Sequence, residues 1–254
     1  MSQLVRVEID GPVATISLCR PERHNSLVPE LLEQLIAAAD SLASAPGLRA
    51  AVLRAEGRSF STGGDVRAIA ESEDRPVYAA RLVGLLNQAI LALIGQPLPL
   101  VAAVQGVLTG GSLGLMLAAD VALLSPEASI TPYYTTVGFS PDGGWTAMLP
   151  EQIGRRRAAE GLLLDRSIGA DEAVAIGLAS RVVPAARIDE EAMATAHAMA
   201  VQLPGSARSA RRLLWGDTAA LAARLEAERA AFVAQIASAE AERGMAAFLQ
   251  RRRG

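Results

Sequence analysis

Leu98-Pro99-Leu100-Val101-Ala102-Ala103-Val104-Gln105-Gly106-Val107-Leu108-Thr109-Gly110-Gly111-Ser112-Leu113-Gly114 is the stretch whose reading decides the fold. Residues 98–104 are a short apolar run behind two prolines that block helix, so they read as a buried strand. Residues 106–114 are rich in glycine, and 115–119 continue as helix. Gly110-Gly111 allows a ligand to come close to the main chain. The spacing does not match G-x-G-x-x-G, which disfavours a dinucleotide site. Close helix–strand packing is the plainer alternative.

Upstream lies a second loop of the same kind, Gly57-Arg58-Ser59-Phe60-Ser61-Thr62-Gly63-Gly64-Asp65-Val66. It follows a short strand at 50–53 and precedes a helix for which Asp65 is a natural N-cap. The Gly64 N–H would then point into a cleft near a helix N-terminus, where an anion is favoured. A tight turn with a capped helix explains one such loop. Two of them ending two strands of one core point further, because a pair of N–H donors converging on one oxygen makes an oxyanion hole.

The rest of the chain supplies an α/β frame. Residues 4–9 and 13–18 flank Asp10-Gly11 and read as a β-hairpin. Val28, Leu31, Leu32, Leu35, Ile36 and Ala39 fall at helical spacing. A long helix is expected over 77–93, and short strands at 121–124, 129–131 and 181–183. Further helices are expected at 143–149, 154–164 and 170–176. From Asp189 onward the pattern is helical, with breaks at Pro204 and Gly216 and an apolar stripe of Leu221, Leu225, Phe232 and Ile236.

Composition prunes the chemistry. The chain has 254 residues, no lysine among its 24 basic residues, two histidines and one cysteine, Cys19. Schiff-base and P-loop lysine chemistry are therefore out. A single cysteine excludes an internal disulfide or a Cys-rich zinc site and fits the cytoplasm. No metal ligand set is expected. The net charge of −3 gives no footprint for nucleic acid. No apolar stretch reaches the roughly 18–20 clean residues of a membrane span. His197 reads as solvent-facing, and the arginine runs at 155–157, 211–212 and 251–253 as solvated faces or phosphate contacts.

In order and spacing the chain resembles the crotonase, or enoyl-CoA hydratase/isomerase, superfamily. The matching pieces are Arg20-Pro21-Glu22-Arg23-His24-Asn25-Ser26-Leu27, Phe60-Ser61-Thr62-Gly63-Gly64-Asp65-Val66 and Ala102-Ala103-Val104-Gln105-Gly106 through Gly110-Gly111. Gly138-Phe139-Ser140-Pro141-Asp142-Gly143-Gly144 and the closing Gly244-Met245-Ala246-Ala247-Phe248 continue the match. The resemblance implies an α/β crotonase-type spiral of ββα units over residues 1–190. A helical C-terminal region over 191–254 would serve packing and oligomerisation. It implies an acyl-CoA substrate with no separate cofactor, and a homotrimer or dimer of trimers. The N–H groups of Gly64 and Gly111 would hold the thioester oxygen. Arg23, His24, Ser26, Ser61, Thr62, Asp65, Val66 and Arg67 would line the CoA path, with His24 at its edge rather than acting as a base.

One departure stands out. Family hydratases use two glutamates on water; here those positions align to Gly114 and Tyr134. The remaining acid is Asp142, which would act as a proton shuttle in double-bond isomerisation or, alternatively, cap a helix starting at Gly143. Apolar neighbours would raise its pKa. Tyr134 would donate a hydrogen bond or fill space, and Tyr133 reads as packing. Hydration, thioester hydrolysis, ring formation and non-catalytic acyl-CoA binding are the alternatives.

Overall fold

The computed structural model describes residues 3–251. Strands β1 (Val5–Asp10) and β2 (Val13–Leu18) form the expected hairpin, with Val5 opposite Leu18 and Asp10 opposite Val13. Next come α1 (Pro29–Ser44), β3 (Ala50–Ala55), α2 (Val66–Glu71), α3 (Arg75–Gly95) and β4 (Leu100–Val104). They lead to β5 (Val107–Thr109), α4 (Leu113–Leu117), β6 (Val121–Leu124), β7 (Ser129–Thr131) and α5 (Tyr134–Val137). Then follow α6 (Leu149–Ile153), α7 (Arg155–Leu163), β8 (Ile168–Gly169), α8 (Ala170–Ala175) and β9 (Arg181–Val182). Helices α9 (Ile188–Ala200), α10 (Pro204–Trp215), α11 (Thr218–Ile236) and α12 (Ala239–Arg251) close the described chain.

The larger sheet runs β1-β2-β3-β4-β6-β9 and is parallel apart from the hairpin. A smaller sheet holds β5, β7 and β8. Inner strand β4 is buried along its whole length, as a parallel strand covered on both faces must be. Side chains alternate across a strand, and β4 divides accordingly. Val101 and Ala103 meet the Ala192, Ala196 and Ala200 stripe of α9. Ala102 and Val104 enter the main core with α1 and α3. In β2 the same alternation sends Thr15 toward α9, where its hydroxyl meets the Met193 sulfur at 3.3 Å.

Three expectations need correction. Helix α3 is long and apolar enough, by length and composition, to cross a membrane; Arg81, Asn87 and Gln88 break its apolar run into shorter pieces without lowering its average hydropathy enough to exclude it. Its Leu82, Val83, Leu86, Ile90 and Leu93 lie in the main core, and the helix packs against α1 and α11. Residues 143–148 form turns, and the helix begins only at Leu149. Gly143 and Gly144 take φ of +61° and +88° there, left-handed values outside any α-helix. Finally, Arg211 is not a solvated arginine. It is buried, bonded to Asp120 and to the carbonyls of Leu93, Ile94 and Gln96, so it satisfies the open carbonyl end of α3. Residues 252 and 253 of the last arginine run lie outside the described residues.

The C-terminal helices share the main core: Leu221, Leu225, Phe232, Ile236 and Met245 belong to it. Pro204 opens α10 and Gly216 ends it. Helix α11 packs along α3, and α12 lies against both α5 and α2. Gly244 permits that last approach, because a side chain there would meet the Val137 carbonyl oxygen at 2.0 Å.

Candidate functional site

A cavity of about 300 Å³ opens where the two glycine loops, the 132–142 segment and helices α11 and α12 meet. Gly64 and Gly111 both line it. The Leu27 N–H donates to Gly63 O at 2.8 Å, and the Asp65 N–H donates to Leu27 O at 3.0 Å. A bridge that uses the residues on either side of Gly64 turns the Gly64 N–H the other way. Gly111 lies in the 3-10 turn Gly110–Ser112, whose first N–H groups have no partner within the turn. Among the described residues neither N–H has an acceptor outside its own turn.

Asp142 stands directly over Gly111. A methyl group placed on Gly111 would lie 2.8 and 2.9 Å from the two Asp142 carboxylate oxygens. The approach continues one residue further, since a side chain on Gly143 would fall 2.1 Å from Gly111 O. Trp145 ties the same two segments together, donating from Nε1 to Gly110 O at 2.8 Å. The capping alternative for Asp142 is not met, since no helix starts at Gly143. Its Oδ1 accepts instead from the Tyr134 hydroxyl at 2.5 Å.

The electrostatics follow from this packing. Burial pushes the Asp142 carboxyl up from 3.8 to about 7, against the Tyr134 hydrogen bond, which favours the anion, and with help from the negative charge of Glu228. Burial and the neighbouring carboxylate likewise raise the Tyr134 phenol well above its ordinary value, so it remains a donor. Glu228, on α11, is buried and accepts from the N–H groups of Gly144, Thr146 and Ala147 and from the Thr146 hydroxyl, at 2.6–2.9 Å. It holds the loop that carries Asp142.

Gly114, in α4, has no room for a side chain. A Cβ there would meet Ile90 Cδ1 at 2.3 Å and Gly143 O at 2.6 Å. The carboxylates that line the cavity are Glu22, Asp65 and Asp142. Glu22 is exposed. Asp65 accepts from the Ala68 N–H as N-cap of α2 and pairs with Arg20 and Arg23 at 3.2 and 3.1 Å. Burial pushes its carboxyl up, but the Ala68 N–H and the two guanidiniums outweigh this and hold it below the ordinary value.

Arg23, His24, Ser26, Thr62, Val66 and Arg67 line the cavity with Asp65, whereas Ser61 does not. The Ser61 hydroxyl is fully buried and donates to Asn25 O at 2.7 Å, so it shapes the preceding turn instead. Ser26 lines the cavity while its hydroxyl is engaged by Arg20 and Asp65. His24 sits in the left-handed region with φ +52°. Its Nδ1 lies 3.2 Å from Ser59 Oγ, and its Nε2 lies 3.2 Å from the Arg58 guanidinium. Arg67 is exposed and has no ion-pair partner among the described residues. His197 is partly exposed beside Asp10 at 3.6 Å and does not line the cavity. Among the described residues no cluster of His, Cys, Asp and Glu is placed to hold a metal ion.

Sequence reasoning missed several walls of this cavity. Tyr133, read as packing, is 39% exposed and lines it. Phe139, Phe232, Phe248 and Leu249 line it as well. Glu228 was missed too, although an acid at the core-facing spacing of Leu221, Leu225 and Phe232 is a legible anomaly.

The enoyl-CoA hydratase/isomerase family model matches residues 8–254. A Mycobacterium tuberculosis protein named "Probable enoyl-CoA hydratase EchA12" is 36% identical over 242 residues, covering 89% of this chain and 82% of that one. An Arthrobacter 4-chlorobenzoyl coenzyme A dehalogenase is 34% identical over 180 residues, 70% of this chain and 65% of its own. The crystal structure of an enoyl-CoA hydratase from Bacillus halodurans superposes with a TM-score of 0.89 at 25% identity, covering 96% of this chain and all of that one.

Proposed function

The chain belongs to the enoyl-CoA hydratase/isomerase family, with the crotonase fold, and from that premise we propose that it shifts a double bond in an enoyl-CoA thioester. The family acts on acyl-CoA. Asp142 is the single proton carrier, and Gly64 and Gly111 are the oxyanion donors. Its buried carboxyl beside Gly111, raised to about 7, is the observation that carries this reading. A base poised near the working pH transfers protons best.

The steps balance with no further reagent. The Asp142 carboxylate takes a proton from the α-carbon of a 3-enoyl thioester. The electron pair moves onto the thioester oxygen, and the N–H groups of Gly64 and Gly111 stabilise the dienolate in a site shielded from water. The Asp142 acid returns the proton at the γ-carbon, the carbonyl re-forms, and the product is the 2-enoyl thioester. Tyr134 remains protonated and orients the carboxylate. Arg67 and Arg23 serve the CoA phosphates, and CoA, as part of the substrate, is the only coenzyme involved.

Relatives named hydratases raise water addition as the rival. The packing at Gly114 and the engagement of Asp65 support the single-carboxylate reading over it, because addition of water by a carboxylate pair needs a second free acid. A trimer or dimer of trimers in the cytoplasm goes with this proposal. Leu163, Leu164, Leu213 and Leu214, 71–84% exposed, offer an assembly apolar surface to cover.

The test is an assay of wild type and Asp142→Asn with 3-enoyl-CoA and 2-enoyl-CoA. Double-bond transfer without hydration, lost in the variant, is expected. Efficient hydration of 2-enoyl-CoA overturns the isomerase reading, and binding of esters without turnover of any overturns catalysis altogether.

A further inference from the structure

The chain is poor in aromatic residues, with four phenylalanines, three tyrosines and two tryptophans in 254 residues. Yet Tyr133, Tyr134, Phe139, Phe232 and Phe248 all line the one cavity described above. They arrive from separate elements: the turn into α5, the segment after it, α11 and α12. Their rings are set edge to face. Phe139 and Phe232 lie 5.2 Å apart at 63°, and Tyr133 and Phe248 lie 6.2 Å apart at 63°.

Core packing alone does not account for Tyr133. It is a bulky residue held at φ +62°, in the left-handed region that such residues avoid. The conformation is secured by Asp165, which accepts from the Tyr133 N–H at 2.6 Å. Strain of this kind costs on the order of 1–3 kcal/mol and persists where the surroundings impose it, commonly at ligand clamps. Here it accompanies a ring that stays 39% exposed on the cavity wall rather than burying itself.

We infer that the acyl end of this cavity is built for a thioester whose acyl group carries an aromatic ring. The inference rests on the acyl-CoA reading of the site and deepens it. Aromatic walls already set edge to face present both ring faces and ring edges, so an arene gains geometry-dependent contacts that an aliphatic chain of the same area does not. A straight chain would be served equally well by leucine and valine walls.

The experiment is calorimetric titration of the full chain with CoA and three alkene-free esters of equal carbon count: 4-phenylbutanoyl-CoA, 4-cyclohexylbutanoyl-CoA and decanoyl-CoA. None has an alkene to move, so binding is read without turnover. The expected result is that the phenyl ester binds about tenfold tighter than the other two. Phe232→Leu and Phe248→Leu should shrink that preference, read as the ratio of phenyl-ester to decanoyl-CoA affinity within each variant, to within about threefold. Two positions are used so that a folding defect at one, detected by its melting curve, leaves the other to decide. Equal or tighter binding of decanoyl-CoA or the cyclohexyl ester overturns the inference and leaves the acyl-CoA reading standing. Failure of CoA and every ester to bind overturns both.

Discussion

A single phenol proton, that of Tyr134, reaches two acceptors on Asp142: Oδ1 at 2.5 Å and the backbone oxygen at 3.0 Å. The carboxylate is thereby locked to its own main chain, over Gly111. Tyr134 is buried and set edgewise on Trp145, with ring centres 6.2 Å apart at 82°, so the donor itself has little freedom. In the proposed reaction the pair would act as one proton-handling unit.

Tyr134→Phe removes that donor and leaves the ring. A hydrogen bond to a charged group is worth about 1.5–3 kcal/mol, so kcat/KM at pH 7 should fall about tenfold to a hundredfold. The lost bond favoured the anion, so the Asp142 pKa rises further and the acid limb of the pH–rate profile moves to higher pH. A profile unmoved in pH would show that Tyr134 does not govern the base.

Asp142→Asn should abolish isomerisation yet stabilise the fold at alkaline pH. Wild-type Asp142 binds its proton more tightly folded, at about 7, than at its ordinary 3.8. Stability is therefore lost as pH rises from about 4 through 7, and the loss is complete above that window. At about 1.4 kcal/mol for each tenfold change in proton affinity, it is on the order of 4 kcal/mol. Melting curves at pH 5 and pH 8 should show a gain from the substitution that is much larger at pH 8. Equal gains at both would contradict a buried, titrating Asp142.

Glu228→Gln keeps an acceptor for the 144–147 loop but removes the charge that helps raise Asp142. The acid limb of kcat/KM should move to lower pH. Glu228→Ala strips three backbone N–H groups and one hydroxyl of their partner. At about 1–3 kcal/mol for each buried group left unpaired, discounted for relaxation, a loss of roughly 3–5 kcal/mol by denaturant unfolding is expected. A purely structural role predicts the second result without the first.

Gly114→Glu, which supplies an acid at the position the resemblance aligns to a hydratase glutamate, should not bring hydration of 2-enoyl-CoA. Its Cβ collides with Ile90 and with the Gly143 carbonyl. Overpacking of this kind costs about 1–3 kcal/mol or more, and it would displace the Asp142 loop. The expected outcome is a lower melting temperature with isomerase activity reduced. Gain of hydratase activity in a stable variant would refute the steric argument.

The sequence carried the local features well. The hairpin, the Asp65 cap and the buried strands before the two glycine loops depend on neighbouring residues, and so were legible. The helix expected over 143–149 failed because Gly143 and Gly144 answer to tertiary contact: the backbone there presses on Gly111, a residue about thirty positions away. Tyr133 was misjudged for a similar reason. Its unusual φ is imposed by Asp165 from a different turn. The stripe of Leu221, Leu225 and Phe232 announced that α11 faces something, but periodicity does not say what. That Glu228 and Phe232 reach back to the 138–147 segment is a fact of topology alone.

Helix α12, wedged between α5 and α2, separates two kinds of inheritance. The proposed oxyanion donors are main-chain groups within the first 111 residues, which no exchange of side chains can delete. The walls contributed by Phe232, Phe248 and Leu249 are side chains from the last two helices. Exchanging α12 alone between relatives would then alter the wall while leaving Glu228, on α11, to hold the Asp142 loop.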